Sequence, residues 1–290
     1  MEYTNIDAEK NPEDIAVTVK DLLVHVDNGT ACRTRIETAR DFANRHTAHL
    51  TGVYVIQPLI MPVYAEIPIG AEVLADANQA LEERADEAKT LFEGITGNSG
   101  VITEWRAIEG SLNRVLNEQA RYTDIVIAGQ HNPNDSETIE VSLVDHLAIE
   151  AGRPVLVVPY VGAYPTIGNH VLIAWKAHRE SARAVNDSLP ILIGAKQVDV
   201  LCVNSDDSEG DVPGADICLH LARHGINAQA HKITAKDIDI GDVLLSRAVD
   251  IGADLVVMGA YGHSRLRETV LGGVTRHLLK HMTIPVFMSH

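Results

Sequence analysis

TDIVIAG at residues 123–129 recurs as ADLVVMG at 253–259. Each copy leads through a helix-like segment into proline and an apolar run, DHLAIEAGRPVLVVP (145–159) and RHLLKHMTIPVFMS (276–289). Setting Pro154 on Pro285 places Leu147 on Leu278 and His146 on His277. The openings match as well, DLLVHVD (21–27) against HVLIAWK (170–176). A sequence that repeats in this way folds as two like units. The copies run over 19–160 and 168–290 and are joined by a linker at YVGAYPTIGN.

In the second copy the short apolar runs VLIAW, VDVLCV, NAQAHKI, DLVVMG and PVFMS alternate with the amphipathic stretches ESARAVNDSLPILI, DICLHLARH and IGDVLLSRAVDIG. Strands covered by helices on both faces have this continuous apolar character. Alternation of strand and helix implies right-handed crossovers. The expected fold class is therefore α/β: two tandem doubly wound domains, each an open five-stranded parallel sheet with helices on both faces. The halves should be alike, and one continuous sheet would count against this reading. The first copy adds a long helix from about Gly70 to Phe92. Ligands of such sheets lie outside the carboxyl ends of the strands, where strand order reverses. Those ends are Asp27 and Gly129 in the first copy, Lys176 and Gly259 in the second.

Charge narrows the function. With 24 basic and 40 acidic side chains the net charge is −16, which excludes a sequence-blind grip on nucleic acid or an electrostatic hold on anionic lipid. The most apolar stretch, VYVIQPLIMPVYAEIPIG (53–70), is broken by Gln57, Glu66 and prolines 58, 62 and 68, so no membrane-spanning helix is expected. The acidic, polar start reads as no signal peptide. Three cysteines without CxxC spacing suit buried thiols in a reducing cytoplasm.

The stretch MGAYGHSRLRETVLGGVTRHLL (258–279) places glycines at 259, 262, 272 and 273 between a buried strand and a helix that begins near Glu268 to Val274. Glycines there let the backbone approach a ligand, and N–H groups at the following helix attract an anion. Spacing alone leaves open whether they cradle a phosphate or only turn the chain. Neither GxxxxGK[ST] nor GxGxxG occurs.

Gly259, two residues, Gly262, nine residues and Gly272, after the strand DLVVMG, resembles the signature of the universal stress protein family. The resemblance extends over both copies, and the second is the closer match. It implies the five-stranded α/β fold, two fused domains, and an ATP or other adenine-nucleotide site in the C-terminal copy. The phosphate side would fall on Gly259, Gly262, Gly272, Gly273, Val274 and Thr275, with His263, Arg265, Arg267 and Arg276 around the loop. The nucleoside side would fall on Ala174, Trp175, Lys176 and Val203. Two residues depart from the pattern: Gly273 stands where Ser or Thr would donate a hydroxyl, and Lys176 where Asp would accept from the nucleoside. Family strand order also puts PVLVVP and PVFMS at sheet edges, so these strands should pair or pack with each other as an intramolecular version of a dimer; a homodimer of the chain is the further expectation.

The first copy departs in the complementary way. Asp27 and Val55 are in place, but Asn132 replaces the second glycine, Val141 and Ser142 replace the third and its neighbour, and Asp135, Glu137 and Glu140 crowd the loop. Residues 1–168 carry 12 basic and 26 acidic groups, net −14; residues 169–290 carry 12 and 14, net −2. Any nucleotide belongs in the C-terminal copy.

Other constellations carry less. The pairs His277/His281, His220/His224 and His46/His49 have helical spacing but no third ligand nearby, so no metal is expected. Ser264 and Thr275 near His263 lack the G-x-S-x-G frame of a nucleophile, and no catalytic residue is assigned. Asp124 and Asp254 match each other before a buried strand, which favours a turn role over acid–base work. The apolar loop Ile56 to Ile69 either packs on its own domain or meets a partner. The expectation is a cytoplasmic, non-enzymatic stress-response protein with a nucleotide or an unidentified protein as partner. A purely structural interaction module and a slow ATP-cleaving enzyme stay open as alternatives.

Overall fold

The computed structural model describes residues 18–58, 71–135, 137, 142–204, 213–235, 238–262 and 273–290. His263 and Gly272, with Ser264, Arg265, Arg267, Glu268, Glu140, Val141 and most of the apolar loop, lie outside these described residues.

The first half runs β1 (Asp21–Val26), α1 (Cys32–His46), β2 (His49–Ile56), α2 (Ala71–Thr96), β3 (Thr103–Glu109), α3 (Leu112–Ala120), β4 (Ile125–Gly129), α4 (Leu143–Glu150) and β5 (Val155–Val158). The second runs β6 (His170–Trp175), α5 (Arg179–Leu192), β7 (Gln197–Val203), α6 (Ala215–Arg223), β8 (Ala228–Ile233), α7 (Ile240–Asp250), β9 (Leu255–Gly259), α8 (Gly273–His281) and β10 (Val286–Ser289). Strand order is 3-2-1-4-5 in the first half and, mirrored, 8-7-6-9-10 in the second. Each half is the expected five-stranded parallel sheet. The long helix runs one turn beyond its expected end at Phe92, where the Thr96 hydroxyl donates to the Phe92 carbonyl at 2.8 Å.

Separate sheets, however, are not what forms. β5 and β10 pair antiparallel, with Leu156 opposite Phe287, and fuse the halves into one ten-stranded sheet. The physical reason lies in the two strands themselves. VLVV and VFMS are buried at every position, and an apolar edge with unpaired N–H and C=O groups is a liability unless something covers it. Each covers the other, which is the pairing that the edge argument expects. Gln130 adds to the seam, donating from Nε2 to the Leu279 carbonyl at 2.9 Å and accepting at Oε1 from the Tyr160 N–H at 3.2 Å. Arg45 of α1 donates to the Ile167 carbonyl at 2.6 Å and the Gly194 carbonyl at 3.1 Å.

The two matched aspartates do the same work in each half. Asp124 accepts from the N–H groups of Lys20 and Asp21 at 2.7 and 3.0 Å. Asp254 accepts from Gly168, Asn169 and His170 at 2.9, 3.1 and 3.0 Å. Each carboxylate ties the start of the fourth strand of its half to the start of the first. An Asp254→Ala protein should therefore lose about 1.5–3 kcal/mol, the worth of a hydrogen bond to a charged group. Urea unfolding measures it; a loss under about 0.5 kcal/mol would deny the carboxylate this tie.

Candidate functional site

The strand order reverses between β6 and β9, and a cavity of about 320 Å³ opens there at their carboxyl ends. β6 contributes Ala174 and Trp175, followed by Lys176 and His178; β7 contributes Leu201 and Val203, followed by Asn204. Glu180 and Ser181 enter from α5, Ile240 and Leu244 from α7. Met258, Gly259, Gly262, Gly273, Val274 and Thr275 close the remaining side. Ala174, Trp175, Lys176, Val203, Gly259, Gly262, Gly273, Val274 and Thr275 thus come together in one cavity, from four segments distant in sequence.

The glycines differ in why they are glycine. A Cβ on Gly259 would stand 2.6 Å from the Glu180 carbonyl carbon and the Ser181 nitrogen. The first turn of α5 crosses the end of β9 so closely that packing alone forbids a side chain. Gly273 is the opposite case: it opens α8, and a Cβ there would have no heavy atom of the described residues within 4 Å. Its space is open to a ligand.

Between Gly259 and Gly262 the chain passes through Tyr261, whose φ of 52° is left-handed, an uncommon setting for an aromatic residue. Three contacts hold it. The ring is buried, the backbone N–H donates to the Thr275 hydroxyl at 3.5 Å, and the phenol donates to Asp145 of α4 in the other half. Burial first, then the Asp145 hydrogen bond and charge, push the Tyr261 phenol well above its usual pKa. It stays protonated and remains a donor.

At the corresponding point of the first half, that half's own side chains engage one another and the backbone. Asp27, at the end of β1, is 2.8 Å from the Arg35 guanidinium and accepts from the Gly29 N–H at 2.9 Å. Burial acts to raise the Asp27 pKa, but Arg35, His25 and these hydrogen bonds outweigh it and hold the carboxyl below its ordinary range. Asp135 accepts from the Thr30 N–H at 2.7 Å and from its hydroxyl at 2.8 Å. Glu137 pairs with Arg84. Carboxylates therefore occupy the N–H groups of Gly29 and Thr30 just before α1.

The histidine pairs are in ring contact, His277 with His281 at 4.4 Å and His220 with His224 at 4.9 Å between centroids. Among the described residues no group of three or more His, Cys, Asp or Glu side chains is placed to hold a metal ion, and no helix is long and apolar enough to cross a membrane. Cys32 and Cys202 are buried, Cys218 partly so, and all are free thiols.

Residues 204–290 match the model of the universal stress protein family. That matched segment makes up most of the C-terminal half. Across the whole chain, a universal stress protein from Archaeoglobus fulgidus DSM 4304 is 14% identical with a TM-score of 0.70, covering 93% of this chain and 96% of that one. A functionally unknown protein from Pseudomonas aeruginosa PAO1 is 17% identical with a TM-score of 0.59, covering 93% and 92%. At such identities the likeness is one of fold, and it shows the fold of a universal stress protein over both halves. No curated protein matches the chain. Around the cavity, the structure adds residues that the sequence alone passes over: His178, Glu180, Ser181, Asn204, Ile240 and Leu244. Glu180 carried one local signal, as the acidic residue in the first turn of the helix after β6.

Proposed function

We propose that the C-terminal cavity binds an adenine nucleotide and that the protein acts in a cytoplasmic stress response as a non-enzymatic binding protein, its output passing through conformation to a protein partner. The observation that carries this reading is the cavity itself. It sits at the switch point of the universal stress protein domain, is open beside Gly273 at the start of α8, and has the size of a small-molecule site. The α8 N-terminus supplies backbone donors and a positive dipole end for an anion. Phosphoryl transfer would require a metal clamp and a positioned water; around the cavity Glu180 is the sole carboxylate among the described residues, which supports binding over cleavage.

One observation favours a second reading, an interaction module without a ligand: packing against α5 alone accounts for Gly259. Calorimetry with AMP separates the two. A Gly273→Asp protein should bind AMP at least about tenfold more weakly than wild type, because the new carboxylate enters open space where a phosphate would lie. An Asn132→Asp protein, altered at the matching loop of the first half, should bind as wild type does. Absence of binding heat with wild type would favour the interaction module, and equal loss from both variants would move the site to the first half.

A further inference from the structure

Glu180 sits under the glycine turn with its side chain only 3% exposed. One oxygen, Oε1, accepts from the Arg179 Nε at 2.6 Å. The other, Oε2, has no hydrogen-bond partner among the described residues. A Cβ on Gly262 would lie 3.5 Å from that oxygen, so Oε2 faces the turn on which nucleotide phosphates are expected. Burial acts to raise the Glu180 pKa, but the Arg179 hydrogen bond, its own backbone N–H and the charges of Arg179 and His290 hold it below the ordinary value. The carboxylate is ionised at neutral pH. Its counterion is a weak one, since Arg179 is 76% exposed and screened by water.

A buried carboxylate oxygen without a partner requires a donor. A hydroxyl or an amine supplies one; a phosphate oxygen brings another acceptor and a like charge. The cavity, at about 320 Å³, also stands at the small end of ligand sites. We propose that Glu180 is a specificity residue that sets the charge of the ligand, so that the cavity takes an adenine nucleoside or monophosphate with a donor turned toward Gly262 in preference to a nucleoside triphosphate. This rests on the adenine-nucleotide reading of the same cavity. Lys176 and His178 also line the cavity, so the negative charge is local to Glu180, and a single phosphate can be received at the α8 N-terminus beside Gly273.

The test is calorimetry at neutral pH with a chelator present, titrating adenosine, AMP and ATP into wild type, Glu180→Gln and Arg179→Ala. Wild type should bind adenosine and AMP at least about tenfold more tightly than ATP, from charge repulsion at the turn. Glu180→Gln should tighten ATP about tenfold and change adenosine less than about twofold, because it keeps the shape and removes the charge. Arg179→Ala, an exposed change outside the cavity lining, should weaken ATP a further two- to threefold, on the order of an exposed ion pair. Wild type binding ATP as tightly as adenosine would overturn the proposal and leave the adenine site standing. So would equal changes for all three ligands in Glu180→Gln. If none of the three ligands binds wild type, the adenine reading fails and this inference fails with it. Should Glu180→Gln lack a cooperative melt, the ATP-to-adenosine ratio in Arg179→Ala decides: a ratio unchanged from wild type overturns the proposal.

Discussion

An Arg35→Ala protein should lose about 3–5 kcal/mol of unfolding free energy, the cost of removing one partner from a buried ion pair. Arg35 is 2% exposed. Its guanidinium lies 2.8 Å from the Asp27 carboxylate, and its Nε donates to the His25 carbonyl at 2.7 Å. Without it, Asp27 keeps the Gly29 N–H but has no compensating charge. Volume and charge can be separated. Arg35→Met fills most of the same space, so it should be nearly as damaging as alanine if the charge is what matters. Combining Asp27→Asn with Arg35→Met removes both charges and should recover most of the loss, because buried pairs are often replaceable as pairs. Urea denaturation of the four proteins measures all of this. An Arg35→Met protein within about 0.5 kcal/mol of wild type would show that the pair holds nothing together.

The same pair explains part of what could and could not be read in the sequence. Asp27 ends the first strand in the place where a carboxylate would face a nucleoside, and local pattern identifies it correctly as the residue at that strand end. Nothing local says that its carboxylate is already engaged, because the partner sits on α1 and meets it only when the helix folds back across the sheet. Gly259 poses the same difficulty in reverse. Its position at a strand end is legible, and the gathering of Ala174, Val203 and Gly273 near it is what the family resemblance implies and the cavity brings together. Its need for glycine is tertiary: the first turn of α5, which begins at Arg179, passes within 2.6 Å of where its Cβ would be. Glu180 was missed for that reason too, since its direction follows from the crossing of α5 over β9. The strand runs followed from periodicity, while their order and the position of the two apolar edges followed from the family resemblance. That two sheets become one was not expected, although the two edge strands were expected to meet, because antiparallel backbone pairing of those edges is itself what makes the sheet continuous.

Acid should destabilise the protein well before its carboxylates titrate, and His25 should carry much of the effect. Its side chain is buried in β1, with Nδ1 3.8 Å from Asp27 and without a hydrogen-bond partner among the described residues. Burial lowers its pKa from 6.5 to about 4; Asp27 opposes the shift and Arg35 adds to it. The folded protein therefore holds His25 neutral where the unfolded chain binds a proton. Between pH 6.5 and about 4 the unfolded state carries more protons, so stability rises with pH across this window and falls as the solution is acidified. A shift of this size corresponds to about 3 kcal/mol over the whole window. His46, half-buried, moves the same way to about 4 through burial and the neighbouring Arg45, and adds a smaller, partly screened contribution of the same sign. The measurement is urea unfolding of wild type and His25→Gln from pH 7.5 to 4.5. Wild type should lose about 2 kcal/mol more than the variant between pH 7 and pH 5, because glutamine fills a similar space and binds no proton. Parallel stability curves for the two proteins would mean that His25 is protonated in the folded state as readily as in the unfolded one, and that its burial beside Arg35 does not oppose the charge.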